Sequence, residues 1–207
     1  MNKEINNRQE RFWDKMAASY DREERKAGKK QQQILQLIQS ELRPTDTVLD
    51  FGCATGLFSV AIAPKVKSVY GTDISSRMIE QASLKAGKAG VTNVTFTRDF
   101  AFDNGQFNLI IVLHVLHLVD DPKETLKKLA ELLQPGGTMV TVTPCLGKKP
   151  LLKTMLTLLS CLRLVPKPHA FKLNQLKDLF LENQLEITLE DTITNSPSEQ
   201  IIVARKA

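Results

Sequence analysis

The sequence predicts an α/β fold in which a mostly parallel sheet is covered by helices on both faces. Short runs rich in β-branched residues lie at 47–51, 68–72, 93–97, 107–113 and 138–143. Helix-like segments at 57–63, 75–87 and 122–133 separate these runs. Strands that alternate with helices are typical of βαβ units, whose parallel strands are buried on both faces.

Two helices are predicted ahead of this core. The first covers residues 9–20 and ends near Tyr20, and the charged stretch DREERKAGKK that follows it is expected to be a flexible or solvated end. The second covers residues 31–42, because its apolar residues recur at steps of three and four. Pro44 then ends this helix.

After Pro144 the sequence changes character. Residues 151–165 form an apolar run of helix length, which is too short to span a bilayer, since a spanning helix needs about 20 apolar residues. We expect a buried cover, a dimer face or a lid over an apolar substrate here. The remaining alternative is peripheral contact with a membrane surface through residues 150–166.

The chain is predicted to end in a helix and two strands. The helix covers 174–183 with Asn174 as its N-cap, and the strands cover 186–191 and 200–204. The stretch TNSPSE between the strands has the composition of a turn.

Composition limits the classes of function. With 207 residues, of which 42% are apolar, the chain can bury the core of one domain. A net charge of +5 permits attraction to phosphates or anionic lipids without requiring it. Three cysteines without a CxxC pair predict neither a disulfide framework nor a metal site. Together with a polar N-terminal stretch that lacks an apolar leader, they indicate a cytoplasmic protein.

The segment TVLDFGCATG, at residues 47–56, carries the strongest functional signal. A strand delivers Asp50 into a turn that contains Gly52, Ala54 and Gly56, and a helix follows. Small residues let a ligand approach the free backbone N–H groups there, and the carboxyl ends of parallel strands are where such folds bind ligands. The spacing matches neither G-x-G-x-x-G nor a P-loop, because Leu57 occupies the sixth position and no Lys-Ser or Lys-Thr follows.

Two further carboxylates follow the next two strands. Asp73 ends the second strand, where its two oxygens can accept both hydroxyls of a ribose, and Asp99 follows the third strand beside the ring of Phe100. By charge sign, Asp50 suits a ligand with an ammonium group better than a pyrophosphate. The three acids therefore predict a site for a cationic, adenosine-like ligand.

An ordered set of motifs resembles the class I S-adenosylmethionine-dependent methyltransferases. The motifs are VLDFGCATG, VYGTDISSRMI, TRDF, FNLIIVLHVLHLVDDP and LLQPGG, and the resemblance covers residues 12–144. It is nearest to the small-molecule group that includes the ubiquinone/menaquinone C-methyltransferases. It implies a Rossmann-like, open, seven-stranded sheet whose last strand, here 200–204, is antiparallel. It also implies one domain over 1–207, with an N-terminal helical cap at 1–44, a cofactor-binding core at 45–144 and a substrate-side region at 145–207.

The resemblance also implies which residues bind the cofactor, S-adenosyl-L-methionine, and its product, S-adenosyl-L-homocysteine. The glycine-containing loop would receive the methionine part, Asp73 the ribose, and Asp99 with Phe100 the adenine. The expected cofactor contacts are Tyr20, Asp50, Gly52, Cys53, Ala54, Gly56, Asp73, Ile74, Met78, Asp99, Phe100 and Leu113. Two positions depart from the family pattern, Ala54 in place of glycine and Asn108 in place of aspartate, and neither removes the cofactor assignment.

Three histidines are candidates on the substrate side. His114 follows the fourth strand, where an acceptor would meet the cofactor, and imidazole is suited to take a proton near neutral pH. His114 is therefore the candidate catalytic base. His117 and His169 are candidates to line the substrate pocket, with a structural role as the alternative for each.

The expected function is methyl transfer to an O, N, S or activated C atom of an apolar or aromatic small molecule. Alignment of acceptor, methyl group and sulfur is the main requirement of such an in-line displacement. An RNA methyltransferase is the first alternative, suggested by the pI near 9.1 but disfavoured by an aromatic content of only 6%, so no nucleic-acid partner is expected. A non-catalytic cofactor-binding sensor or partner protein and a nicotinamide oxidoreductase are the others. The acceptor and the oligomeric state stay open.

Overall fold

A computed structural model of the protein describes residues 3–26, 28–145, 168–194 and 196–207. The strands are β1 (Thr47–Phe51), β2 (Ser68–Thr72), β3 (Val94–Thr97), β4 (Phe107–Leu113), β5 (Leu133–Pro144), β6 (Leu185–Ile193) and β7 (Ser196–Lys206). The helices are α1 (Lys3–Lys26), α2 (Gly28–Glu41), α3 (Leu57–Ile62), α4 (Ser76–Lys88), α5 (Pro122–Leu132) and α6 (Leu173–Glu182), with a short 3₁₀ helix at Ala63–Lys65.

The seven strands form one sheet in the order β3-β2-β1-β4-β5-β7-β6. The pairs β1–β2, β1–β4, β2–β3 and β4–β5 are parallel. Only β7 is reversed, because it runs antiparallel to both β5 and β6. The predicted mostly parallel seven-stranded sheet with an antiparallel last strand is confirmed.

Two apolar cores lie on opposite faces of this sheet. One contains Leu126 of α5 and Phe180 of α6, and the other contains Ile34 of α2 and Ile62 of α3, all fully buried. The central strands β1 and β4 face both cores, so their apolar residues run nearly without interruption, as parallel strands covered on both faces require. The predicted helices on both faces are therefore confirmed.

The N-terminal helices are longer than the sequence pattern predicts. Helix α1 continues to Lys26 and α2 begins at Gly28, so the stretch DREERKAGKK is largely helical, and Arg22, Gly28 and Lys29 in it are exposed. A tertiary contact accounts for the difference, because Asp21 in this charged stretch forms an ion pair with Lys85 of α4 at 2.9 Å.

The C-terminal hairpin is also longer than predicted. Strand β7 begins at Ser196, so most of the predicted TNSPSE turn belongs to a strand. The reason is pairing with β5, which places Glu199 opposite Pro144. The predicted cap Asn174 lies inside α6, and the helix begins where the Gln175 side chain accepts a hydrogen bond from the Lys172 N–H at 3.1 Å.

One predicted element cannot be compared with the structure. The apolar helix at 151–165, and with it the membrane contact predicted through 150–166, lies outside the described residues. Among the helices that the structure does describe, none is long and apolar enough to cross a membrane.

Candidate active site

The loop after β1 is closely packed against β2 and its neighbours. The N–H groups of Gly52 and Cys53 both donate to the carbonyl oxygen of Thr72, at 2.8 and 2.9 Å. Gly56 has a φ of +71°, and a Cβ there would lie 2.7 Å from the Phe96 ring. A side chain is excluded at Gly56 by both sterics and backbone conformation.

Asp73 holds this loop from the end of β2. One carboxylate oxygen accepts the Ala54 N–H at 3.0 Å and the other accepts the Ser75 N–H at 2.9 Å. The first bond supports the left-handed backbone of Ala54, whose φ is +48°. Burial raises the pKa of Asp73. Each oxygen has a second lone pair for a further donor, which is the arrangement that two ribose hydroxyls need.

Asp50 lies under the loop at 2% exposure and accepts a hydrogen bond from the Ser59 hydroxyl at 2.5 Å. Burial raises the pKa of Asp50 to about 6; the Ser59 bond opposes the shift, and the negative charge of Asp73 adds to it. Among the ion pairs of the described residues, none includes Asp50 or Asp73. A bound cation would therefore be stabilised by two carboxyl groups, of which Asp50 is buried and Asp73 half-buried.

Helix α1 is fastened over this loop at Asp21. The carboxylate of Asp21 accepts hydrogen bonds from the Thr55 hydroxyl and from the Lys85 ammonium, the latter at 2.9 Å. Tyr20 precedes Asp21 on the same helix and is half-buried.

Asp14, one to two turns earlier in α1, forms a second set of contacts with the core. Asp14 accepts hydrogen bonds from the Ser75 hydroxyl at 2.6 Å and from the Arg77 N–H at 3.2 Å, at the start of α4. Burial alone would raise the pKa of Asp14, but these two hydrogen bonds and the charges of Arg77 and Arg98 lower it. Asp14 thus acts as an ionised cap that α1 supplies to α4.

The predicted adenine pair follows β3. Phe100 is 38% exposed and its ring packs edge-on against Phe51 at the end of β1, with centroids 5.1 Å apart. Asp99 is exposed, and its N–H donates to the Thr97 hydroxyl at 3.0 Å. The contact with Phe51 shows that the ends of β1 and β3 reach the same edge of the sheet.

The remaining predicted cofactor contacts differ in how far they are buried. Ile74 and Leu113 are half-buried at strand ends, whereas Cys53 and Met78 are buried. Burial, reinforced by the charges of Asp50 and Asp73, raises the pKa of the Cys53 thiol, so this thiol stays protonated. Sequence reasoning attached no role to Asp14, Asp21, Ser59 or Lys85, because nothing in their local pattern shows that they meet the loop.

The substrate-side histidines lie together beyond β4. His114 has a φ of +57° and its N–H donates to the Val142 carbonyl at 2.8 Å. The His169 N–H donates to the His117 carbonyl at 2.7 Å, which brings the two predicted pocket residues to one place. Glu199 was not predicted, yet its Oε2 lies 3.6 Å from His114 Nε2.

His114 and His117 are both neutral at physiological pH. Burial lowers the pKa of His114 to about 4, with the positive charge of Lys30 adding to the shift and Glu199 opposing it. Burial, with the nearby His114 and His169, also lowers the pKa of His117 to about 4. In the part of the chain that the structure describes, no group of three or more His, Cys, Asp or Glu residues is arranged to hold a metal ion.

Asn108, one of the two departures from the family pattern, forms local hydrogen bonds. Its side-chain oxygen accepts the Thr47 N–H at 2.9 Å, and its amide donates to Gln134 at 2.8 Å. The side chain therefore links β4 to the start of β1 and to β5.

Comparison with known proteins identifies the family. A family model described as "Methyltransferase domain" matches residues 19–190, a range that includes the loop, all three acids and the histidines. The chain belongs to this methyltransferase family. The resemblance stated from the sequence motifs is confirmed, and the family cofactor is S-adenosylmethionine.

Two curated relatives show how this methyltransferase domain is related to longer proteins. It is 28% identical to the uncharacterized methyltransferase YcgJ of Bacillus subtilis over 155 residues, covering 73% of this chain and 61% of that protein. It is 36% identical to a ubiquinone biosynthesis O-methyltransferase of Cereibacter sphaeroides over 99 residues, covering 46% of this chain and 40% of that protein. The chain thus spans about two fifths to three fifths of the relatives that it matches.

The fold is shared with solved methyltransferases. The geranyl diphosphate C-methyltransferase of Streptomyces coelicolor, solved with S-adenosyl-L-homocysteine, aligns with a TM-score of 0.71 at 16% identity. The alignment covers 84% of this chain and 78% of that one. At this identity the likeness establishes the Rossmann-like methyltransferase fold.

The residues of this methyltransferase fit S-adenosylmethionine. Asp50 and Asp73 provide negative charge without a cationic partner among the described residues, and Asp73 keeps acceptor capacity toward hydroxyl groups. The Thr72 hydroxyl oxygen is buried with no hydrogen-bond partner within the described ranges. These features suit a ligand that carries both positive charge and hydroxyl donors.

Proposed function

We propose that this chain is an active S-adenosylmethionine-dependent methyltransferase whose acceptor is an apolar or aromatic small molecule. The observation that carries the proposal is the juxtaposition of two halves at one edge of the sheet. Asp50, Asp73 and the loop after β1 form an acidic cofactor site. His114, at the end of the adjacent strand β4, provides a neutral base.

The cofactor half would hold S-adenosylmethionine through named residues. Asp73 would accept the ribose hydroxyls, Phe100 would offer a ring face to the adenine with Asp99 beside it, and the loop would receive the methionine part. Tyr20 would cover the cofactor from α1, and its aromatic face favours a sulfonium. When bound, the cofactor supplies a methyl group on a sulfonium centre and leaves as neutral S-adenosylhomocysteine.

The acceptor half would orient the second substrate and take its proton. Because charge is neutralised rather than created in this displacement, alignment of the acceptor gives most of the rate. His114 would remove the proton of an acceptor that carries one. His117 and His169 would line the same pocket.

The apolar nature of the acceptor is supported by sequence and by relatives. The apolar run at 151–165 lies in the sequence between β5 and α6, shortly before His169. Relatives and neighbours are named as a ubiquinone biosynthesis O-methyltransferase and a geranyl diphosphate C-methyltransferase, and both names specify small molecules.

Two measurements test this function. Calorimetry with S-adenosylhomocysteine against NADH separates a methyltransferase site from a nicotinamide site, and only the former should bind. Transfer of tritiated methyl groups from S-adenosylmethionine to a panel of alkylphenols, hydroquinones and thiols should then label at least one acceptor. Tight binding without transfer to any acceptor would favour a sensor, and salt-sensitive labelling of tRNA alone would favour an RNA methyltransferase.

A further inference from the structure

Glu199 is held from two sides beside His114. Its Oε2 lies 2.6 Å from the ammonium of Lys30 on α2, and its Oε1 accepts the Ser196 hydroxyl at 2.9 Å. Burial would raise the pKa of Glu199, but the hydrogen bond from Lys30 and the neighbouring charges lower it. The group is therefore a fixed carboxylate with only 17% of its side chain exposed.

The sheet sets the relative position of Glu199 and His114. Glu199 lies opposite Pro144 in the β5–β7 ladder, and the His114 N–H donates to Val142 two residues earlier on β5. His114 thus approaches the end of β5 from the side of β4, and Glu199 approaches it from β7, the strand on the other side. The left-handed backbone of His114 adds a constraint that non-glycine residues keep only where the surroundings impose it.

Polar atoms around this point lack partners. His114 Nε2, His117 Nδ1 and the Thr143 hydroxyl are buried without a hydrogen bond to any described residue. Buried polar atoms are nearly always paired, so an unpartnered imidazole nitrogen that faces a carboxylate is placed to form a hydrogen bond. The carboxylate that faces His114 Nε2 is Glu199, whose Oε2 lies 3.6 Å away.

The charged and titratable groups that act on His114 come from three elements. Glu199 of β7 favours the charged imidazole, and Lys30 of α2 disfavours it. His117 lies in the loop after β4 and interacts with both His114 and His169. Lys30 thus holds Glu199 in place and lowers the proton affinity of the imidazole, whereas the Glu199 carboxylate raises it.

We propose that Glu199 is a positioning residue that accepts the Nε2–H of neutral His114 and so leaves Nδ1 to take the proton of the acceptor. The 3.6 Å contact needs to shorten by about 0.6 Å to become a hydrogen bond, as catalytic contacts do on substrate binding. The inference rests on the proposed methyl transfer and narrows the acceptor to one with an ionisable hydroxyl, such as a phenol.

The proton balance of this step is complete. The acceptor hydroxyl gives its proton to Nδ1 as its oxygen bonds to the methyl carbon, and the electron pair of the broken C–S bond stays on sulfur. The imidazolium that results lies next to the Glu199 carboxylate, whose negative charge stabilises it. Solvent removes the proton between turnovers.

Imidazole NMR tests the arrangement without requiring turnover. The chain has only three histidines, so ¹⁵N–¹H spectra can be assigned with His114→Gln. We expect the Nε2–H tautomer of His114 at pH 7. Lys30→Met should move the pKa of His114 upward, and Glu199→Gln should shift the tautomer ratio or move the pKa downward.

The chain offers a matched control in Lys177 and Glu190. This ion pair has the same 2.6 Å separation but is more exposed, and it joins α6 to β6. Glu190→Gln and Lys177→Met should leave the His114 signals unchanged. An Nδ1–H tautomer in the unmodified protein, or shifts no larger than those of the controls, would overturn the proposal.

Kinetics with 4-alkylphenols and hydroquinones as probe acceptors supply a second readout. Glu199→Gln should lower kcat by about 10- to 100-fold, as loss of an orienting carboxylate does, without changing the KM for S-adenosylmethionine. Equal kcat in Glu199→Gln and Glu190→Gln would refute the positioning role while leaving methyl transfer intact. Labelling of a thiol but of no phenol or hydroquinone by the unmodified protein would refute the narrowed acceptor and leave the proposed function intact. Absence of transfer to every acceptor of the panel would refute the proposed function, and the NMR result would then decide the arrangement alone.

Discussion

The proposed cofactor half and the proposed acceptor half of this methyltransferase-family domain are built differently. The cofactor half collects acids that follow consecutive strands, and backbone N–H groups satisfy Asp73 at 2.9 and 3.0 Å. The acceptor half brings Lys30, His114 and Glu199 together from distant parts of the chain and leaves buried polar atoms without partners. A short motif can encode the first arrangement, whereas the second needs a complete sheet.

The two halves also differ in protonation. Burial raises the pKa of Asp50 to about 6 on the cofactor side and lowers the pKa of His114 and His117 to about 4 on the acceptor side. Burial disfavours the charged form in both cases, so acids and bases shift in opposite directions. Four predictions test this contrast, ordered from the largest expected effect.

Close packing of the cofactor loop is tested by Gly56→Ala. The added Cβ would lie 2.7 Å from Phe96 and 2.9 Å from Ala82 at a φ of +71°, so we expect a loss of about 2–4 kcal/mol in the free energy of unfolding. Urea denaturation measures it. Gly90→Ala is the matched control, because Gly90 has a φ of +67° with no atom within 4 Å and should lose only about 1 kcal/mol. Equal losses would show that the loop is not tightly packed.

Ribose recognition is tested by Asp73→Asn. The asparagine keeps one oxygen for the loop but loses the charge and one acceptor, so the affinity for S-adenosylhomocysteine should fall about 30- to 100-fold. Calorimetry gives the value, and circular dichroism checks the fold. The control variant Asp103→Asn, which changes an exposed residue, should bind S-adenosylhomocysteine normally. Unchanged affinity in the Asp73 variant would argue against the ribose assignment.

Opposite pH slopes are expected from the two halves. Because the pKa of Asp50 is raised to about 6 from 3.8, the folded state binds the extra proton and this residue costs stability as pH rises from about 4 to 6. Because the pKa of His117 is lowered to about 4 from 6.5, its neutral burial costs stability as pH falls over nearly the same window.

Stability curves of single variants separate these slopes. We compare the free energy of unfolding of Asp50→Asn with that of the unmodified protein at each pH. This difference should favour the variant by about 2 kcal/mol more at pH 7 than at pH 4. His117→Gln should instead gain stability at pH 4 relative to pH 7. Chemical denaturation at each pH provides the measurement, and slopes of the same sign for both variants would contradict the contrast.

The smallest effect is expected where α1 covers the loop. Lys85→Met removes the 2.9 Å ion pair with Asp21, whose side chain is 40% exposed, so the free energy of unfolding should fall by only about 0.5–1 kcal/mol. Hydrogen exchange should nevertheless increase in α1 around Asp21. The exposed Lys88 on the same helix provides the control variant Lys88→Met, which should leave exchange in α1 unchanged.

Much of the fold was predictable from periodicity. Alternating β-branched runs and helical segments located strands β1 to β4 to within one residue, because each pattern reports local burial. Strand β5 was predicted from residue 138 but begins at Leu133. The end of α1 at Lys26 and the start of β7 at Ser196 were not predicted. Contacts with α4 and with β5 decide them, and no local pattern contains those partners.

The sequence by itself determined the α/β class, the family and the small-residue loop after β1, since these depend on contiguous motifs at strand ends. Only the tertiary structure decided that Glu199 faces His114 and that Lys30 holds Glu199. The physical reason is the register of β7 on β5. A shift of one residue would turn every side chain of β7 to the other face of the sheet, and a linear sequence does not specify which residue then meets the histidine.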